Sequence, residues 1–172
     1  MHRPPAIGWS DDEAARLGAG PLEVVRWEDE DHDVLRRRAR EIPAGAPLGD
    51  LPQRLEEAMF REDGVGLAAP QVGLSVRAAA LLVGYRTDAP TPVVVINPVI
   101  TRRADALVDS WEGCLSVPGK GARVRRYAWI EVEYSDPSWT SHEARVEGAD
   151  AILWQHELDH LDGVLYVDRL AG

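Results

Sequence analysis

The chain has a single cysteine among 172 residues. No intrachain disulfide can hold it, and the fold does not depend on an oxidising compartment. Long apolar runs are also missing. No stretch approaches the roughly 20 apolar residues of a membrane helix, and Met1 to Gly20 mixes His, Arg, Asp and Glu with Pro and Gly where a signal peptide would carry an apolar core. Positive charge is scarce: 19 Lys and Arg stand against 29 Asp and Glu, a net charge of −10. Phosphate contacts need a basic surface, so no direct nucleic-acid binding is expected. There is no internal repeat and no low-complexity segment. What is present is ordinary, 45% apolar and 28% charged residues, which suits one soluble domain with its own core. A cytoplasmic protein is the default expectation.

Along the chain, residues 1–20 read as a flexible leader and residues 21–172 as one domain. Residues 31–41, with Arg36, Arg37, Arg38 and Arg40, read as a helix with a solvated arginine face. A second helix is expected at about 50–62, with Asp50 as N-cap and Pro52 in its first turn. Leu51, Leu55, Ala58 and Met59 recur at its inner face. After Gly73 the chain turns apolar and partly β-branched, predicting strands at 76–83, 93–97, 99–108, 128–135 and 141–147. A last helix runs from about Gly148 to Leu161. Helices, then strands, then one helix predict an α+β fold, with largely antiparallel sheets packed around that C-terminal helix.

The last helix carries Gln155-His156-Glu157-Leu158-Asp159-His160, an H-E-x-x-H motif. Residues four apart share a helical face, so both imidazoles can reach one ion, and Glu157 projects beside it as acid or base. Burying these groups among Ala151, Ile152, Leu153, Leu158 and Leu161 is costly without compensation, which a metal supplies. A catalytic site of this kind needs a third protein ligand. The twelve residues after His160 contain no Glu, Cys or His, and Tyr166 stands where one zinc-protease pattern needs His. The ligand must lie upstream. Cys114, in Glu112-Gly113-Cys114-Leu115-Ser116, is the leading candidate and His142 its rival. A thiolate with two imidazoles suits iron(II), zinc, cobalt or nickel. A third segment, Gly64-Val65-Gly66-Leu67-Ala68-Ala69-Pro70-Gln71-Val72-Gly73, is neither a P-loop nor a dinucleotide fingerprint. Its small residues allow close approach of a ligand, and Gln71 can offer its amide to an oxyanion.

These three segments, 64–71, 112–116 and 155–160 followed by Leu161 and Gly163, together resemble the signature motifs of the peptide deformylases, in order and over most of residues 22–170. Asn97-Pro98 and the helix near 50–62 are also similar. The resemblance implies a single catalytic deformylase-like domain over 21–172 that hydrolyses the N-formyl group of N-formylmethionyl peptides and releases formate. It implies Cys114, His156 and His160 as metal ligands, for Fe2+ first and Zn2+, Ni2+ or Co2+ as alternatives. It implies Glu157 as general base and proton donor, with Gln71 and the Leu115 N–H as oxyanion donors. Substrate contacts are expected from Val65, Gly66, Glu112, Gly113, Ile152 and Leu153, the peptide pairing as an added strand.

The chain departs from that pattern in places. It stops soon after Asp168, so the C-terminal helix through which some members dock on ribosomes is not carried over, and neither is ribosome contact. Gly121 stands where many members carry Arg or a bulky residue, with Arg123, Arg125 or Arg126 as possible substitutes in peptide recognition. Three rival readings are a hydrolase of the same fold acting on another small N-acyl substrate, a zinc endopeptidase, and a non-catalytic metal-binding or redox-sensing protein. The missing downstream ligand counts against the second, and Glu157 against the third.

Overall fold

The computed structural model describes residues 5–170. The order is helix α1 (Asp11–Gly18), a 3-10 turn (His32–Arg36), helix α2 (Leu51–Arg61), strands β1 (Gly66–Ala68), β2 (Ala78–Val83), β3 (Thr91–Arg103), β4 (Leu107–Cys114), β5 (Val117–Tyr127), β6 (Trp129–Ser135) and β7 (Ser141–Glu147), then helix α3 (Gly148–Leu161). Five strands form one sheet in the order β1-β2-β3-β6-β7, and β4 pairs with β5 alone. All these strand pairings are antiparallel. This is the α+β arrangement expected from the sequence.

Helix α3 sits at the centre. Residues on most of its faces are buried, so it has no broad solvent stripe. Trp154, Leu158 and Leu161 pack with Leu81, Val95, Ile130 and Val132 of the large sheet. Gln155 ties α3 to the end of β5 by accepting from Tyr127 N–H and donating to Tyr127 C=O, both at 2.9 Å. The helix is therefore held between the large sheet and the β4–β5 ribbon, which meet across its donor face. On the far side of the large sheet, Leu51, Leu55, Ala58 and Met59 of α2 enter the core, as their spacing predicts.

Three local expectations are corrected and one holds in part. Residues 11–18, placed in a loose leader, form α1, closed by a capping box in which Ser10 Oγ accepts from Glu13 N–H and the Glu13 carboxylate accepts from Ser10 N–H. Residues 31–41 make only a single 3-10 turn. Arg40 pairs with Glu13 and Arg36 with Asp168 across the fold, while Arg37 and Arg38 stay exposed as expected. Asp50 stands at the N-cap of α2 as expected and its carbonyl accepts from Arg54 N–H, but its side chain makes no capping bond. The strands expected at 93–97 and 99–108 are one continuous strand to Arg103, with a bulge at Asn97-Pro98 that absorbs the proline. Asn97, at φ +50°, completes the bulge by accepting from Ile42 N–H at 2.9 Å and donating to Ile42 C=O at 2.8 Å.

Candidate active site

One helical turn of α3 brings His156 Nε2 to 3.2 Å from His160 Nε2. Cys114 ends β4, at the irregular step where its partner becomes Val117, and this bend delivers Sγ to 3.3 Å from His160 Nε2. Cys114, His156 and His160 each offer one ligand atom, and the three atoms all lie within 4.8 Å of one another. Two imidazole nitrogens and a sulfur at this spacing are held together either by shared protons or by a cation that takes their place. His156 is prepared for a cation, because its Nδ1 is bonded at 2.8 Å to Glu112 Oε2, which leaves Nε2 turned to the other donors. Burial depresses His156, but the neighbouring Cys114 and Glu112 outweigh it and raise the ring to about 10, so without a cation Nε2 carries a proton that a metal would displace. Burial, then the charge of His156, pushes His160 well below its ordinary value. A thiol and two imidazoles converging at this spacing fit a divalent metal. The rival ligand His142 is elsewhere, on β7, bonded to Asp136 at 2.8 Å.

The support beneath is a buried ion network. Glu112 accepts from Arg126 Nε and Nη2, each at 2.8 Å, and from Ser110 Oγ at 2.9 Å. Burial alone would raise its carboxyl, but Arg126 and His156 bring it down to about 2. Arg126 also donates to Asp159, which holds Arg169 in turn. Arg126 is thus a scaffold, not a peptide-binding residue as the sequence allowed. Arg125, on the opposite face of β5, is exposed and pairs with Asp109 at 3.5 Å, and Arg123 is exposed on the same strand. Asp159 lay inside the H-E-x-x-H motif, but nothing in the linear pattern paired it with an arginine 33 residues away.

Glu157 lies beside the donors, 3% exposed, with Oε2 unpartnered among the described residues. Burial, the largest influence on it, raises its carboxyl to about 7. Its fit depends on Gly66: a Cβ there would stand 2.3 Å from Glu157 Oε1 and 2.8 Å from Leu153 Cδ1. Gln71 is buried in the 3-10 turn Ala69–Val72. Its Oε1 accepts from Ala68 N–H at 2.9 Å, which aims Nε2 at Ser116 Oγ (3.3 Å) and Cys114 Sγ (3.5 Å). A cavity of about 730 Å³ opens onto this centre. Val65, Gly66, Glu112, Gly113, Leu115, Ile152 and Leu153, all expected at the site, line it with Cys114, His156 and Glu157. Tyr85, Trp111 and Arg26 line it too, and the sequence reading missed all three.

The polypeptide deformylase family model matches residues 21–172. The chain belongs to the polypeptide deformylase family. The peptide deformylase of Thermus thermophilus is 43% identical over 151 residues, covering 80% of this chain and 77% of that one. The crystal structure of the peptide deformylase from Thermotoga maritima superposes with a TM-score of 0.79 at 38% identity, covering 88% of this chain and 98% of that chain. A class I type b deformylase from Acinetobacter baumannii, crystallised with Met-Ala-Ser bound, gives a TM-score of 0.78 at 30% identity, covering 87% and 98%. As a member of the deformylase family the chain is an enzyme with peptide deformylase activity, and its Cys-His-His cluster is the metal-binding site.

Proposed function

We propose that this enzyme removes the formyl group from N-formylmethionyl peptides of newly made proteins, with Glu157 moving the proton and with Gln71 and Leu115 holding the oxyanion. One observation carries the reading: a thiol and two imidazoles converge within 4.8 Å beside a buried carboxyl with a free oxygen. Cys114, His156 and His160 would hold the cation, Fe2+ by preference and Zn2+, Ni2+ or Co2+ as alternatives. When bound, it supplies the Lewis acidity that makes a water nucleophilic near neutral pH. Glu157 takes the proton from the water that attacks the formyl carbon. The Gln71 amide and the Leu115 N–H donate to the carbonyl oxygen as it gains charge, each worth about 3 kcal/mol in sites of this type. Glu157 then returns the proton to the departing amine as the C–N bond breaks, and formate leaves.

The Met-Ala-Ser seen in the Acinetobacter enzyme supports a similar path here. The peptide would add as a strand along β1, which pairs on one side with β2, at Gly66 and Gly113, with Glu112 at the border. The methionine side chain would enter among Val65, Ile152 and Leu153. We propose residues 21–172 as the catalytic domain. A cytoplasmic setting suits a site that needs its one thiol reduced, and among the described residues no helix is long and apolar enough to cross a membrane. The test is anaerobic purification, metal analysis and formate release from formyl-Met-Ala-Ser. Acetate release from acetyl-Met-Ala-Ser at a comparable rate would instead favour a broader N-acyl hydrolase.

A further inference from the structure

Trp111 is 74% exposed, the most exposed of the large apolar side chains described. It lines the same cavity as Cys114, His156 and Glu157. Its indole lies against the backbone of Gly121 on the paired strand: a Cβ there would stand 2.8 Å from Trp111 Nε1 and 3.1 Å from Cε2 and Cζ2. Glycine at 121 is therefore what lets the ring settle across the ribbon. The neighbouring Lys120 turns away, its Nζ 4.2 Å from the Trp27 ring centroid. The ring lies over the glycine of the paired strand, beside its cross-strand neighbour Arg123, and at the mouth of a catalytic cavity it forms an apolar platform left largely open to solvent.

We propose that Trp111 is a specificity-determining residue that selects apolar, above all aromatic, side chains at the second or third position of the peptide. This rests on the deformylase reading above. Trp111 is three residues from Cys114 along β4, about 10 Å at strand spacing. An extended peptide whose formyl end lies at the metal centre spans that distance with its next two or three residues. Aromatic rings gain from stacking on an indole beyond the area they bury. The stack forms equally in the bound and transition states, which is uniform binding, so it is read in KM.

The experiment compares formyl-Met-Ala-Ser, formyl-Met-Phe-Ser and formyl-Met-Ala-Phe on the wild-type enzyme, Trp111→Ala and Gly121→Val. The wild type is expected to favour Phe at one of the two positions. In Trp111→Ala the Phe-to-Ala ratio of kcat/KM should fall about fivefold, the worth of one aromatic pair, through KM. Gly121→Val keeps the indole but forces it off the ribbon, and should lower the ratio in the same direction. Calorimetric titration of the metal-loaded protein with Met-Ala-Ser, Met-Phe-Ser and Met-Ala-Phe should give the same order of affinities. Ratios within about twofold of wild type in both variants, or equal losses for all peptides, overturn the proposal. So does a change of sedimentation state in Trp111→Ala with the ratios intact, which would give this surface to a second copy of the chain. If no peptide releases formate, the activity reading fails by itself, and the titrations still decide the role of Trp111.

Discussion

Glu13 and Glu112 are both buried carboxylates held by an arginine, and they differ in what they leave open. At the N-terminal end, Glu13 is 4% exposed and accepts from Arg40 at 2.7 and 2.8 Å, from Ser75 N–H at 2.8 Å and from Ser10 N–H at 2.9 Å. Beneath α3, Glu112 accepts from Arg126, Ser110 and His156. Both carboxyls, which burial alone would raise, are held at about 2 by their partners. By charge and burial alone the two look alike. The Glu13 cluster closes on itself and clamps α1 to the body, whereas Glu112 spends one bond on the ring of a metal ligand. A buried ion pair is therefore weak evidence of function by itself, and the group to which its last bond points is the stronger evidence.

The sharpest break between the regions should come from Glu157, which has an unpartnered oxygen where Glu13 has none to spare. Glu157→Ala should lower turnover at least 100-fold, about what a positioned proton carrier contributes, while metal content measured by atomic absorption stays near one per chain. Persistent activity in that variant would falsify the general-base role. Next in size is the link through His156. Glu112→Gln keeps the shape of the side chain but weakens its hold on Nδ1, and metal affinity measured by chelator competition should fall about 10–100-fold. Glu13→Gln should leave that affinity unchanged. Equal metal loss in both variants would mean that the two clusters are not functionally distinct.

How much of this was legible in the linear chain follows the same division. The i, i+4 histidines and the acid between them are set by helix geometry, so His156, His160 and Glu157 could be found from spacing alone. The lack of a ligand after His160 places the third one upstream but leaves both Cys114 and His142 open, and the resemblance to the deformylase motifs favours Cys114. Long-range pairings could not be found this way. The sequence offers Arg126 for peptide recognition, although it is buried between Glu112 and Asp159, because its partners lie 14 and 33 residues away. Within the Arg36–Arg40 run Arg37 and Arg38 are solvated as the pattern predicts, but nothing local shows that Glu13 draws Arg40, and Asp168 draws Arg36, across the fold. Asn97 is a milder case: its positive φ and its two bonds to Ile42 exist only once β3 lies beside that loop.

The smaller effects concern stability and separate the clusters from the other side. Glu13→Gln removes charge-assisted bonds from a buried group, and should cost about 2 kcal/mol in urea unfolding while kcat/KM stays at its wild-type value. The pH dependence of that cost is the finest test. The folded carboxyl of Glu13 is held at about 2 against an ordinary value of 4.5. A depressed folded pKa means the unfolded chain takes up the proton first, so the stability from this group is complete above about 4.5 and drains away as the pH falls toward about 2. The gap in unfolding free energy between wild type and Glu13→Gln should therefore be constant from pH 7 to about 5 and narrow steadily below that. Taking the difference between the two proteins removes the other carboxylates that titrate in the same range. A gap that stayed constant down to pH 3 would mean that Glu13 holds α1 by shape and not by charge, and the likeness between the two clusters would then be superficial.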